Sequence, residues 1–295
     1  MNILGIDIGG SKIVAGIVDK NGNVLCYEKE QLPSDANNIN ADFLLSDIKN
    51  KCDKLAEKYE FDKIGMTIPG LTDAKNGIWI YAPFSGINNF PIADKIKSFY
   101  GKRVYIENDV NACAVGEKYF GCCKNIDDFL WITVSNGIGG SVFANGRLYT
   151  GSNGNAGEIG HIKVCDDEEF LCCCGSYGCL EAVAAGPGIK KRYDNILTAE
   201  KIADEARNGN NPAVKVMYDT GYYIGKALSS AVNILNPAMA VFGGGVSQSF
   251  DLIEAGIKDG LSRYVWEAAN KNFKIARTAL GYNAALIGAA ALTLE

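Results

Sequence analysis

Residues 155–181 read NAGEIGHIKVCDDEEFLCCCGSYGCLE, and the rest of the chain is arranged around them. The stretch holds the single histidine, His161, with Cys172, Cys174 and Cys179 following at spacings of eleven, two and five, and Glu158 and Glu181 near its ends. One imidazole and three thiolates are the donor set of a closed tetrahedral zinc site. Gly175 and Gly178 let the backbone turn sharply enough to aim Cys174 and Cys179 at one point. Cys165 and Cys173 lie nearby, so the choice of sulfurs is open. The alternative is a set of small buried hydrophobes, since free cysteine is among the most buried residue types. A dense cluster interleaved with glycine and polar residues, without a hydrophobic period, favours the metal. Four protein ligands leave no position for water, so the zinc is expected to staple a loop and not to perform chemistry.

At 295 residues the chain exceeds the usual single-domain size, which predicts two lobes. Apolar residues make up 47% and charged residues 21%, enough to bury substantial cores. A net charge of -5 speaks against a nucleic-acid partner held through phosphates, yet allows a nucleotide in a local glycine-rich pocket. No charged-then-apolar leader precedes Met1–Leu4 and no apolar run approaches bilayer length, so a cytoplasmic protein without a membrane partner is expected. In a reducing compartment ten cysteines mean metal ligands or free thiols rather than disulfides.

The N-terminus alternates as a β-meander: strands over Asn2–Ile8, Ile13–Val18 and Val24–Glu28, broken by Gly9-Gly10-Ser11-Lys12 and by the Asp19-Lys20-Asn21-Gly22 turn signal. Asp7 ends the first strand beside the glycines, where a carboxylate can hold hydrated magnesium while backbone N–H groups face a phosphate; Lys12 adds a cation. An ordinary hairpin has the same signature. Ala41–Tyr59 predicts an amphipathic helix with Phe43, Leu44, Ile48, Cys52 and Leu55 on one side, and Lys63–Ile68 a strand ending at Pro69-Gly70. Thr72–Phe90, with Trp79, Tyr81, Phe84 and Phe90, suits either a mobile sugar-contacting loop or a packed surface loop. A short helix over Ile92–Tyr100 and a strand over Arg103–Ile106 lead to Glu107-Asn108-Asp109 and a helix over Val110–Tyr119. Asp109 there either caps the helix or serves as a general base.

Phe129–Val134 and Val142–Ala144 flank Ser135-Asn136-Gly137-Ile138-Gly139-Gly140-Ser141 and lead to Asn145-Gly146, repeating the N-terminal plan of strand, glycine bend, strand and turn. Two related lobes are therefore expected, each offering a phosphate-facing hairpin to a cleft between them. A short helix should open at Cys179-Leu180-Glu181 and stop near Gly186-Pro187-Gly188. Helices follow over Thr198–Arg207 and Pro212–Leu235. The strand Met239–Phe242, then Gly243-Gly244-Gly245, then a helix from Gln248 to about Tyr264 form a nucleotide-contact arrangement, since missing side chains admit adenine or ribose to the backbone. Phe273–Thr278 closes as a strand and Ala284–Leu294 as an apolar helix.

Five motifs in this order resemble the ROK family of bacterial sugar kinases, within the actin, hexokinase and heat-shock ATPase superfamily. They are Asp7-Ile8-Gly9-Gly10-Ser11-Lys12, Glu107-Asn108-Asp109-Val110-Asn111-Ala112, Gly137-Ile138-Gly139-Gly140, Gly157-Glu158-Ile159-Gly160-His161, and Cys172-x-Cys174-Gly175-x-x-Gly178-Cys179-Leu180-Glu181. The resemblance implies an α/β, two-lobed actin/hexokinase-like (ribonuclease H-like) fold with the active site in the interdomain cleft. The small lobe would span 1–114 plus 279–295 and the larger lobe 115–278.

It further implies an ATP-dependent hexose kinase acting on glucose or a relative such as fructose, mannose, an N-acetylated hexosamine or a β-glucoside, that uses Mg2+ with ATP, carries structural Zn2+ and works as a cytoplasmic homodimer. Asp109 resembles the catalytic base. Asn108, Glu158, His161, Glu181 and Gly70 match sugar-binding positions. Asp7, Gly9, Gly10, Ser11 and Lys12, with Asn136, Gly137, Gly139 and Gly140, match the phosphate turns, and Gly243, Gly244 and Gly245 the adenosine side. His161, Cys172, Cys174 and Cys179 match the metal ligands. Ser11 replaces a usual threonine and keeps its hydroxyl, whereas Asn136 and Ser141 replace a threonine and a third glycine. DNA-binding members carry a helix-turn-helix ahead of the first strand; here that strand starts at residue 2, so a repressor is not the expectation. A catalytically silent sugar binder is the third possibility, opposed by Asp109 and both glycine turns.

Overall fold

Runs of Ile, Val and Leu at the N-terminus are buried on both faces of a strand, as a central strand requires. In the computed structural model, which describes residues 1–33, 40–82 and 86–295, β1 (Asn2–Ile8) and β2 (Lys12–Asp19) pair antiparallel, with Asp7 opposite Val14. β3 (Val24–Gln31) completes the meander, and its burial alternates because one face meets water. α1 (Ala41–Ala56) buries Leu44, Ile48, Cys52 and Leu55, while Phe43 is 37% exposed rather than on that face. Asn40 caps α1 by accepting from the N–H of Phe43 at 2.9 Å. β4 (Lys63–Ile68) runs parallel to β1 and puts Thr67 opposite Asp7.

The expected loop from Thr72 to Phe90 is instead largely sheet. β5 (Leu71–Asp73), β6 (Ile78–Tyr81) and β7 (Asn88–Phe90) form a small antiparallel sheet, and Phe84 lies outside the described residues. Trp79 is fully buried and its Nε1–H donates to the carbonyl of Pro69 at 2.8 Å, so it is core, not a sugar platform. α2 (Ile92–Tyr100) then leads to β8 (Val104–Asn108), parallel to β4, and α3 (Asp109–Tyr119).

β9 (Phe129–Val134), β10 (Ile138–Ala144) and β11 (Arg147–Tyr149) form a second antiparallel meander. Its turn at Asn145-Gly146 has positive φ at both residues, 54° and 73°, the conformation a type I′ hairpin demands. α4 (Leu180–Ala184) is followed at once by α5 (Gly186–Tyr193). α4 stops just before Gly186-Pro187-Gly188, as expected, but those residues also open α5, because proline in the first turn lacks only an N–H the helix does not need. α6 (Ala199–Arg207) is capped by Thr198, and α7 (Asn211–Leu235) packs on α8 (Phe250–Tyr264). A Cβ on Gly221 would sit 2.0 Å from the carbonyl of Ile253, and one on Gly256 2.0 Å from that of Tyr218, so this helix pair closes only over glycine. β12 (Met239–Gly243), β13 (Lys274–Arg277) and α9 (Ala284–Ala291) complete the chain.

Among the described residues, the two five-stranded sheets run β3-β2-β1-β4-β8 and β11-β10-β9-β12-β13. Each has a three-stranded antiparallel meander continued by two parallel strands, the duplication that the repeated glycine hairpins signalled in the sequence.

The chain divides into two compact units, 1–126 with 150–155 and 278–295, and 127–149 with 156–277. The break after residue 126, against the expected 114, reflects α3 running on to Tyr119. Glu117 near its end is fully buried and accepts from the Thr278 hydroxyl and, at 3.1 Å, the N–H of Ala279.

Candidate active site and metal centre

In the first unit, β1, β4 and β8 end together; β1 and β8 deliver the carboxylates Asp7 and Glu107, and α3 opens with a third, Asp109. Asp7 is buried at the end of β1 and accepts from the Thr67 hydroxyl at 2.9 Å. Burial raises its pKa, against that hydrogen bond and the Lys12 charge, which lower it. Glu107, buried on β8, accepts from the N–H of Asn108 at 2.8 Å and from Asn111 Nδ2 at 3.2 Å; burial raises its pKa too. Thr67 is not singled out by the sequence, and Glu107 stands there only as the first residue of a motif, with no role assigned to it. The register that pairs β1 with β4 and a charge at the end of an apolar strand were the available signals.

The cap of α3 is Asn108, not Asp109. The Asn108 side-chain oxygen accepts from the N–H of Val110 at 2.9 Å, and its Nδ2 donates to the carbonyl of Gly70 at 3.1 Å. That places Gly70, at φ 86°, and Asn108 side by side. Asp109 is the first helical residue, partly exposed, and its pKa is pushed up to about 7, first by burial and then by the charge of Asp7. Cys113, one turn along, is driven well above the usual thiol range by the same burial and by Asp109, Asp7 and Glu117. The Gly9–Lys12 turn closes through the N–H of Gly9 and the carbonyl of Lys12 at 2.9 Å. Gly10 and Ser11 are exposed, and a Cβ on Gly10 would meet nothing within 4 Å.

In the second unit, the other glycine motifs converge. Ser135 donates its N–H to the carbonyl of Gly137 at 2.8 Å, and its own carbonyl accepts from the N–H of Gly186 at 2.8 Å. Gly244, at φ 90°, would drive a Cβ to 2.4 Å from the carbonyl of Val134, while Gly245 lies open toward Ser135 Oγ. Asn136 is exposed. Gly139 and Gly140 lie within β10, paired with Thr133 and Ile132, so they belong to the strand rather than the bend. Gly140 is packed against Gly157 and Gly243 against Trp131.

The cysteine loop brings His161, Cys172, Cys174 and Cys179 together, with their donor atoms all within 4.8 Å of one another. Cys172 Sγ is 3.5 Å from His161 Nδ1, and Cys174 Sγ 3.7 Å from Cys179 Sγ. A tetrahedron with Zn–S of about 2.3 Å and Zn–N of about 2.1 Å has edges of about 3.8 Å (S···S) and 3.6 Å (S···N), so the donor set fits zinc. His161 Nε2 faces Glu158 Oε2 at 3.8 Å. The Ser176 N–H and Cys172 hold the Cys174 thiol below its usual range, while burial lifts Cys179 to about 12; a bound cation would deprotonate both. Cys165 is outside this group. Cys173 belongs to a second one with Cys172 and Glu181.

A cavity of about 280 Å³ lies against Gly140 and Glu158, walled by Leu130, Ile132, Ile162 and Ile234. Its lining is apolar and does not match a polyol. Among the described residues no helix is long and apolar enough to cross a membrane.

The ROK family pattern matches residues 3–295. The glucokinase of Halalkalibacterium halodurans is 32% identical over 97% of this chain and 92% of its own length. The DNA-binding transcriptional dual regulator NagC of Escherichia coli is 29% identical over 98% of this chain and 74% of its own. A crystal structure of a ROK family glucokinase from Streptomyces griseus, in complex with glucose and AMPPNP, superposes with a TM-score of 0.86 at 30% identity, covering 99% of both chains. The fold is thus of the actin/hexokinase-like α/β class. The chain belongs to the ROK family.

Proposed function

We propose that the protein is an ATP-dependent sugar kinase that transfers a phosphoryl group to a hexose hydroxyl, the 6-hydroxyl of glucose being the first candidate. The observation that carries this reading is Asp109: a partly exposed carboxylate, relieved of capping by Asn108, with a pKa pushed up to about 7. A general base works best with a pKa near the working pH, and Asp109 can accept the proton of the attacking hydroxyl. Asn108 and Gly70 support the sugar beside it, and Asp7 and the Gly9–Lys12 turn suit a phosphate with its cation. In the second unit we assign Glu158, His161 and Glu181 as sugar contacts, the Asn136-Gly137 bend with Gly139 and Gly140 at the start of β10 to phosphate, and Gly243–Gly245 to adenosine. Magnesium bound with ATP supplies charge neutralisation at the transferring phosphoryl group.

His161, Cys172, Cys174 and Cys179 would hold a structural zinc, and the fit of their spacing to a tetrahedron supports it. It would fix the ring of His161 and the loop bearing Glu158 and Glu181, so that a strongly hydrated sugar meets preorganised acceptors. The family resemblance extends the proposal to a cytoplasmic homodimer. The test is ADP release over a panel of glucose, fructose, mannose, N-acetylated hexosamines and β-glucosides. Turnover with one hexose well above the others is expected; none with any would sink the kinase. The second reading, a sugar-sensing regulator, is favoured by the identity to NagC and would show as sugar binding without ADP release.

A further inference from the structure

Glu181 is tied at both oxygens. Its Oε2 accepts from the N–H of Ile138 at 2.9 Å, and a Cβ on Gly137 would stand 2.6 Å from that oxygen, so a side chain there would push the carboxylate aside. Its Oε1 accepts from the Cys173 thiol at 3.4 Å. Cys173 is exposed, and its sulfur lies 4.0 Å from that of Cys172. Glu181 itself follows Cys179 by two residues, at the start of α4. The cysteine loop therefore reaches the phosphate turn through one side chain, and from Gly137 the bonds continue to Ser135 and Gly186. Each carboxylate oxygen has two lone pairs, so these bonds leave room for a sugar hydroxyl.

We propose that Cys173, Glu181 and Ile138 form a relay through which the cysteine loop sets the nucleotide affinity of the Asn136-Gly137 bend, at the start of β10, as well as the sugar affinity. Cys173 is the positioning residue: its S–H orients Glu181, and Glu181 holds the N–H of Ile138 and thereby the shape of the bend. The relay rests on the reading of that bend as a phosphate turn, but not on any sugar being phosphorylated.

The experiment is calorimetric titration of ADP, without sugar, into the full-length protein and its variants, with metal content measured on each sample. Cys173→Ala should weaken ADP binding about three- to tenfold at unchanged metal content, the scale of one weak bond to a charged group. Cys173→Ser should restore it, since a hydroxyl donates to the same oxygen. In a Glu181→Ala background, Cys173→Ala should add nothing. An unchanged ADP affinity in Cys173→Ala, a loss that tracks metal content, an equal loss in Cys173→Ser, or an undiminished effect without Glu181 overturns the relay. So does a parent protein that binds no ADP. A parent that binds ADP but phosphorylates no hexose sinks the kinase reading alone.

Discussion

The carboxylate cluster of the first unit and the cysteine loop of the second hold functional groups by opposite means. Asp7 and Glu107 sit at the ends of buried strands, fixed by the sheet register and by Thr67, Asn108 and Asn111. Burial there costs stability and raises acid pKa values, as a proton acceptor needs. The loop from Glu158 to Cys179 has little regular structure. Glu158, His161, Cys173 and Cys174 are all exposed, and isolated bridges between Lys163 and Cys179 and between Leu171 and Tyr177 stand in for strands. Packing preorganises the first site, whereas on the proposed reading the second is held by the metal that its donor set fits.

That contrast is sharpest in catalysis. Asp109→Ala should lower kcat by about 10²- to 10⁴-fold while sugar affinity, measured calorimetrically, stays within a few-fold. Retained turnover would remove Asp109 from the base role. In the cysteine loop the effect should fall on binding. Chelation, or Cys174→Ser, should weaken sugar affinity by about 10- to 100-fold and lower the Tm, since His161, Glu158 and Glu181 lose their anchor. Metal-free protein with unaltered affinity and Tm would erase the distinction between the two sites.

The smallest effect is on stability, and it has opposite sign at the two sites. The folded-state pKa of Asp109, about 7, exceeds the ordinary value, so the native state binds the proton more tightly than the unfolded chain. This group destabilises progressively as pH rises from about 4 to about 7, and fully above that. Asp109→Asn should therefore stabilise the protein above pH 7 by about 1–2 kcal/mol, a figure reduced for the solvent that still reaches the group, with no gain near pH 4. Denaturant midpoints at the two pH values read this. A variant less stable at pH 8 would show that the carboxylate is held by favourable contacts instead.

Much of the fold was legible because its central strands are long apolar runs and its glycine hairpins recur. β1, β4 and β9 fall on the expected residues, and α2 does so at both ends. The segment from Thr72 to Phe90 was not legible, because β5 and β7 are only three residues long and asparagine and glycine mimic a loop. Nor was α5, since Gly-Pro reads as a stop until its position within the first turn is known. At the site, Asp7, Asn108 and Asp109 stood out as polar groups at apolar strand ends. Thr67 and Cys173 did not, for their importance lies in what they touch: one becomes visible through strand register, the other only in the folded loop.

The most direct test of Asp109 acting as base is the pH profile of kcat/KM from pH 4 to 9, with the best hexose and saturating ATP. Asp109 as the proton acceptor predicts a rate that falls tenfold per unit below about pH 7, as the free enzyme takes up one proton. A rate that stays level down to pH 5 would contradict it.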